Sequence, residues 1–194
     1  MKQKLQEYLL KLNLLNTNEM EHSLSLFEEL SLKKDDYFIV EQEICDKVAF
    51  IVSGGVRAFS TNPDGDENIT CFKFENQFVT SYESLALQQN SKKSIQAIEN
   101  CHLLVINFTK LNQLTEAVPS WKFISKLIME QEFMSKEDYL LNLNNKSAKE
   151  KYLHVITQSP EIVKRVQTSH LASYLGITQR TLTRVKREIL QPAL

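Results

Sequence analysis

Gln179, Arg180, Thr183, Arg184 and Arg187 recur at the spacing of one helix face, and these side-chain types hydrogen-bond to nucleic acid. An arginine fork can pair bidentately with guanine, and glutamine can do so with adenine. Hydroxyls such as those of Thr168, Ser169, Thr178 and Thr183 serve phosphates or bases. The pattern therefore assigns Gln179, Arg180 and Arg184 to base edges, and Thr168, Ser169, Thr178 and Arg187 to the backbone. The competing reading of the same residues is a solvated basic helix in a protein-binding domain.

Such a face needs elements that present it. Leu171 and Leu175 lie one helical turn apart, and Gly176 permits the positive φ that ends a helix abruptly. Ala172 is small where a second helix must cross closely, and the Thr178 hydroxyl can cap that helix. Leu182 and Val185 return it to the same core. Together these describe a helix–short turn–helix unit, whose second helix enters the major groove while the first crosses the backbone.

Charge is distributed to match. Residues 146–194 carry nine basic and three acidic side chains, a net of +6, whereas the first 145 carry 14 basic and 21 acidic, a net of −7. A basic tail on an acidic body suits a polyanionic partner, or simply a solvated surface.

Ahead of the tail the hydrophobic period changes twice. Residues 1–30 read as helical, with Leu5, Leu9 and Leu12, then Leu26, Phe27 and Leu30, at helical spacing. From Tyr37, short runs rich in β-branched and aromatic residues follow one another: 37–40, 48–52, 56–60, 69–74, 94–98 and 102–106. Turn residues bound them at Ser53-Gly54-Gly55 and Asn62-Pro63-Asp64-Gly65-Asp66, which predicts an antiparallel sandwich or barrel over about 35–108. Pro119 can open a long helix in which Trp121, Ile124, Leu127, Ile128, Met134 and Leu141 keep a helical period to about 143. That helix is expected to be a dimer seam or connector, against the alternative of packing on its own domain. Ala148–Gln158 reads as a further helix, with Pro160 beyond its end.

Leu171-Ala172-Ser173-Tyr174-Leu175-Gly176-Ile177-Thr178, followed by Thr181-Leu182-Thr183-Arg184, resembles the DNA-binding region of the Crp/Fnr family of bacterial transcription regulators. Upstream, residues 48–59 and Asp64-Gly65-Asp66-Glu67 look like that family's cyclic-nucleotide-type β-roll. The order of parts also matches, and the likeness is greatest to the short, Bacteroidetes-type members. The resemblance implies an α+β fold in three parts: a β-roll sensor-type domain with N-terminal helices at 1–115, a dimerisation helix at 116–145, and a helix-turn-helix domain at 146–194. It implies a homodimer acting on a near-palindromic double-stranded DNA site to regulate transcription, with RNA polymerase and a small-molecule effector as further partners. The alternative is a small-molecule-binding β-roll that has lost DNA recognition and signals through protein contacts.

The sequence departs from the family in four places. The cyclic-AMP binders place a Gly-Glu pair on the ribose and an Arg-Ser pair on the phosphate. Here those pairs fall near Ser81-Tyr82-Glu83 and within Ser91-Lys92-Lys93-Ser94, without the glycine or the arginine. The resemblance thus gives Tyr82, Glu83, Lys92, Lys93 and Ser94 as a candidate effector pocket. Cyclic AMP is not the expected ligand, because lysine is a point charge and not a fork. A solvated loop is the alternative for Glu83, Lys92 and Lys93. Arg180 stands where the catabolite activator protein carries a glutamate, so a different DNA site is expected. The sequence also ends at Pro192-Ala193-Leu194, without the C-terminal hairpin wing of many relatives.

Iron–sulfur chemistry needs a cysteine cluster, whereas Cys45, Cys71 and Cys101 stand 26 and 30 residues apart. Cys71 and Cys101 are expected to be buried small hydrophobes and not redox sensors. His22, His102, His154 and His170 lack metal-ligand spacing. No cofactor and no metal are expected. Neither HExxH, a P-loop, GxSxG nor GxGxxG occurs, so an enzyme is not expected. With no secretory h-region at the N-terminus and no run of 18 apolar residues, the expected location is the cytoplasm, away from membranes.

Overall fold

The computed structural model describes residues 1–190, with Leu190 described in its backbone only. The sequence's end at 192–194, on which the expected lack of a wing rests, lies outside the described residues. The chain divides into two compact units, Met1–Ser60 with Cys71–Glu130, and Thr61–Thr70 with Gln131–Leu194.

The first unit opens with helices α1 (Lys2–Leu12) and α2 (Thr17–Ser25). Asn16 and Glu19 close a reciprocal capping box at the start of α2, which satisfies two otherwise orphaned backbone donors. Eight strands follow: β1 (Glu28–Leu32), β2 (Tyr37–Ile39), β3 (Lys47–Ser53), β4 (Val56–Thr61), β5 (Glu67–Lys73), β6 (Phe78–Val79), β7 (Ser94–Ala97) and β8 (Cys101–Asn107). They form two four-stranded sheets, ordered β1-β8-β3-β6 and β2-β7-β4-β5. The helical reading of residues 26–30 is corrected here. Leu30 and its neighbours extend as β1 and pair antiparallel with β8, Leu30 opposite Leu103. Tertiary pairing with a long neighbouring strand overrides the local apolar spacing.

Side-chain alternation in β3 and β8 builds two cores from one sheet. Ala49, Ile51 and Leu103 point inward to meet Val56, Ala58, Ile95 and Ala97 of the other sheet. Phe50, Leu104 and Ile106 point outward and are covered by Leu5 and Leu9 of α1, Met20 of α2, and Trp121 and Ile124. The Trp121 indole N–H donates to Ser23 Oγ at 2.7 Å, so this large ring is buried with its polar atom satisfied. Two further helices lie among the strands' ends: α3 (Tyr82–Leu87) and α4 (Phe108–Ala117).

Helix α5 (Ser120–Asn145) begins one residue after Pro119, and the boundary between the two units falls inside it. The second unit then adds α6 (Ala148–Gln158), α7 (Pro160–Arg165), α8 (Thr168–Tyr174) and α9 (Gln179–Leu190). Pro160 does more than follow α6: it occupies the first turn of α7, where a missing N–H is harmless. Within this unit the Ser173 hydroxyl donates to the Glu67 carbonyl at 2.7 Å and accepts from the Ile69 N–H at 3.2 Å. Tyr139 stacks on Tyr174, with centroids 4.8 Å apart, and its hydroxyl donates to the Ile69 carbonyl. Cys45 and Cys101 are buried, whereas Cys71 is only partly so. No described helix is long and apolar enough to cross a membrane.

Candidate nucleic-acid interface

The turn between α8 and α9 is built by its backbone. Gly176 has φ +62°, its N–H donates to the Ser173 carbonyl, and the Ile177 N–H donates to the Ala172 carbonyl, each at 3.0 Å. These two bonds are the Schellman termination, which closes the orphan carbonyls of α8 and turns the chain sharply. The Lys151 ammonium donates to the Leu175 carbonyl at 3.2 Å, placing a positive charge at the same helix end. The next helix starts at once: Thr178 Oγ1 accepts from the Thr181 N–H at 3.1 Å, as the sequence predicts for an N-cap.

Helix α9 then divides cleanly into two faces. Leu182 and Val185 are buried with Leu171, Ala172 and Leu175. Gln179, Arg180, Thr183, Arg184 and Arg187 are exposed. At about 100° per residue the three arginines fall within about 60° of arc, opposite Leu182 and Val185. Thr178 and Thr168 are exposed as well, and Ser169 is half-buried near the start of α8. The Thr183 hydroxyl donates back to the Gln179 carbonyl at 2.9 Å, so its oxygen lone pairs remain available to a donor. Arg184 Nη1 lies 3.3 Å from Glu188 Oε1, one turn further along the helix. The sequence reading did not single out Glu188, although its i,i+4 spacing from Arg184 is legible there. Lys186 leaves the arginine face and sits 5.8 Å above the Tyr152 ring, packing α9 against α6.

α6 is held at its N-terminus by a second capping box. Ser147 Oγ accepts from the Glu150 N–H, while the Glu150 carboxylate accepts from the Ser147 N–H at 2.8 Å and from its hydroxyl at 2.7 Å. Those bonds to Ser147 hold the Glu150 carboxyl below the usual carboxylate range. Burial pushes the Tyr152 phenol up. Beside this helix, His154 Nε2 lies 2.9 Å from Asp138 Oδ2 and Asn142 Nδ2, joining α6 to the end of α5.

The candidate effector residues of the β-roll fall in different environments. Glu83 and Lys92 pair with each other at 2.5 Å on the surface, and Tyr82 is half exposed. Lys93 is half-buried, and the buried Ser94 hydroxyl accepts from the Glu41 N–H at 2.9 Å. Ser81 and Ser91 are both buried, and their hydroxyls bond at 2.8 Å. A buried arginine also lies in this unit: Arg57 donates through Nε and Nη2 to Gln96 Oε1, at 3.0 and 2.7 Å. The alternation of β4 conceals Arg57 in the sequence, since it stands between Val56 and Ala58 on the opposite face. Among the described residues no group of three or more His, Cys, Asp or Glu side chains could hold a metal ion.

Comparison with known proteins agrees with this architecture. Residues 29–117 match the family model of the cyclic nucleotide-binding domain. Over 183 residues the chain is 23% identical to electron transport regulator A of Shewanella oneidensis, covering 88% of this chain and 72% of that one. It is 24% identical over 165 residues to the transcriptional activator protein Anr of Pseudomonas protegens, covering 79% and 67% of the two. A solved structure described as a Crp/Fnr-family transcriptional regulator, from Eubacterium rectale, superposes with a TM-score of 0.74 at 16% identity, over 97% of this chain and 89% of that one.

Residues 29–117 thus match a cyclic nucleotide-binding domain, and the chain has the fold of solved Crp/Fnr-family structures. Its fold is the α+β arrangement of that family, with a β-roll of cyclic-nucleotide-binding type and a C-terminal helix-turn-helix. In this chain the helix-turn-helix is α8–turn–α9, and the residues that build its turn are those that define the motif in the sequence.

Proposed function

We propose that this chain is a Crp/Fnr-family regulator: a sequence-specific DNA-binding transcription regulator that acts as a homodimer. The observation that carries the proposal is the arginine face of α9, exposed opposite a buried Leu182/Val185 face and presented by a tight turn. Gln179, Arg180 and Arg184 read base edges, and Thr168, Ser169, Thr178 and Arg187 hold the backbone. Thr183 lies between these groups. The relatives' names as transcriptional activator and transcriptional regulator support the same reading.

The homodimer is formed along α5. Trp121 and Ile124 of this helix are buried in the first unit, but Phe123, Leu127, Met134 and Leu141 are exposed at spacings of 4, 7 and 7 residues. A heptad-spaced apolar seam suits a second copy of the same helix. The parts divide as 1–115, 116–145 and 146–194, the last being the DNA-binding part. Cyclic AMP is not its effector, because Glu83 and Lys92 neutralise each other and residues 81–94 contain no arginine.

Binding to duplex DNA across a salt series tests the proposal. Affinity should fall steeply as salt rises, as counterions released from phosphates require. Affinity that is absent, or flat with salt, would favour a β-roll module that signals through protein contacts.

A further inference from the structure

We propose that Glu188 is a positioning residue for Arg184, and that it sets how strictly α9 discriminates between DNA sequences. The proposal rests on the DNA-binding reading above. Glu188 is the only acid in the sequence after Glu161, and it borders the arginine face on the side of Arg184, about 40° around the helix from it. Its carboxylate lies 3.3 Å from Arg184 Nη1, whereas no described acid pairs with Arg180 or Arg187.

Stability does not account for this acid. Both partners are exposed, at 69% and 45%, where an ion pair contributes little. The order is the weaker one for a helix, with the acid C-terminal to the base, and the carboxylate stands in the last turns, where the helix dipole opposes it. Nor does raw affinity account for it, because a carboxylate on a phosphate-facing surface is repelled. Its effect must lie in what Arg184 can touch. An unrestrained arginine reaches phosphates as readily as base edges, and phosphate contacts carry no sequence information. With Nη1 engaged by Glu188, the guanidinium is held in one plane, and its remaining N–H groups present a fixed fork to guanine O6 and N7. The acid also opposes attraction of the same arginine to phosphate. Glu188 thereby exchanges indiscriminate affinity for selectivity at one base pair.

The test starts from the duplex that the full-length wild-type protein enriches from a random pool. Affinities of wild type, Glu188→Gln, Arg184→Ala and the double variant are measured on that duplex, on its single-base-pair substitutions and on a scrambled duplex. The series runs from 50 to 200 mM salt, and thermal melting verifies that each variant is folded. Glu188→Gln should lose about tenfold in discrimination at the base pair read by Arg184. It should bind the scrambled duplex more tightly, with a slope of log K against log salt steeper by about one unit. In the Arg184→Ala background the same substitution should change discrimination less than about twofold, since the group it positions is gone. Discrimination equal to wild type in Glu188→Gln would overturn the proposal. So would a uniform affinity shift on every duplex, or an effect of equal size with and without Arg184. If the wild-type protein enriches no duplex, either alone or with cell extract supplied as a source of effector, the DNA-binding reading has failed before any variant is measured, and the role of Glu188 falls with it.

Discussion

Arg184 and Arg187 differ in what the structure gives them, although both are exposed on α9. Arg184 stands five residues into the helix, near the end that the proposed docking puts in the groove, and Arg187 stands almost one turn further along. Arg184→Ala should therefore cost about 1–3 kcal/mol against the selected duplex and relax one base pair. Arg187→Ala should weaken binding to all duplexes alike and lower the salt slope by about one. Quantitative binding to a set of single-substitution duplexes separates the two patterns. At this scale the sequence was informative wherever side-chain type and helical spacing decide exposure, as for Arg180, Arg184 and Arg187. It was less so where a partner decides: Glu83 and Lys92 are nine residues apart, and only the fold of the α3–β7 connection brings their charges together. Arg57 was illegible for a related reason. A charged residue within an apolar strand gives no sign that a glutamine on a distant strand lies opposite it, as Gln96 does.

The turn and the caps of the second unit carry the element-scale predictions. Gly176 combines a positive φ with a tight neighbour, since a Cβ there would stand 2.9 Å from Leu143 Cδ1. Leu143 is a flexible side chain and can yield, so most of the penalty comes from the backbone. Gly176→Ala should lower stability by about 1–2 kcal/mol in denaturant unfolding, with DNA affinity falling as the α8–α9 angle relaxes. The Glu150 cap predicts a pH response. Its folded-state carboxyl lies below the ordinary range, so its contribution is complete above the unfolded carboxylate pKa and is lost as pH falls through the lowered folded value. Protection factors of the amides at residues 147–150 should therefore fall on acidification below the usual carboxylate range, and Glu150→Gln should remove that pH dependence of protection. The helix-turn-helix was legible because its signals are local: a glycine, a threonine cap and apolar residues one turn apart. Strand β1 was not, because Leu26, Phe27 and Leu30 fit a helix period and only pairing with β8 decides otherwise. The two-residue strand β6 and the six-residue α3 are too short to show any period.

For the whole molecule, α5 has two apolar faces with different roles. One supplies Trp121 and Ile124 to the first unit's core, and the other leaves Leu127, Met134 and Leu141 in solvent. The sequence showed one blended stripe, since a period cannot tell which apolar residues the fold buries and which it leaves exposed. Met134→Asp combined with Leu141→Asp should shift the protein from dimer to monomer in sedimentation equilibrium with little loss of helix content. A monomer should bind a single half-site far more weakly than the dimer binds the pair, because the linked half-sites are lost.

The most direct measurement is selection of bound duplexes from a random pool by the purified full-length protein, without added effector. The expected result is an enriched near-palindrome, with half-site centres one helical turn apart, about 10 base pairs, guanine at the position lost by Arg184→Ala, and two protomers per duplex. A pool that stays random, both alone and with cell extract supplied as a source of effector, would contradict it.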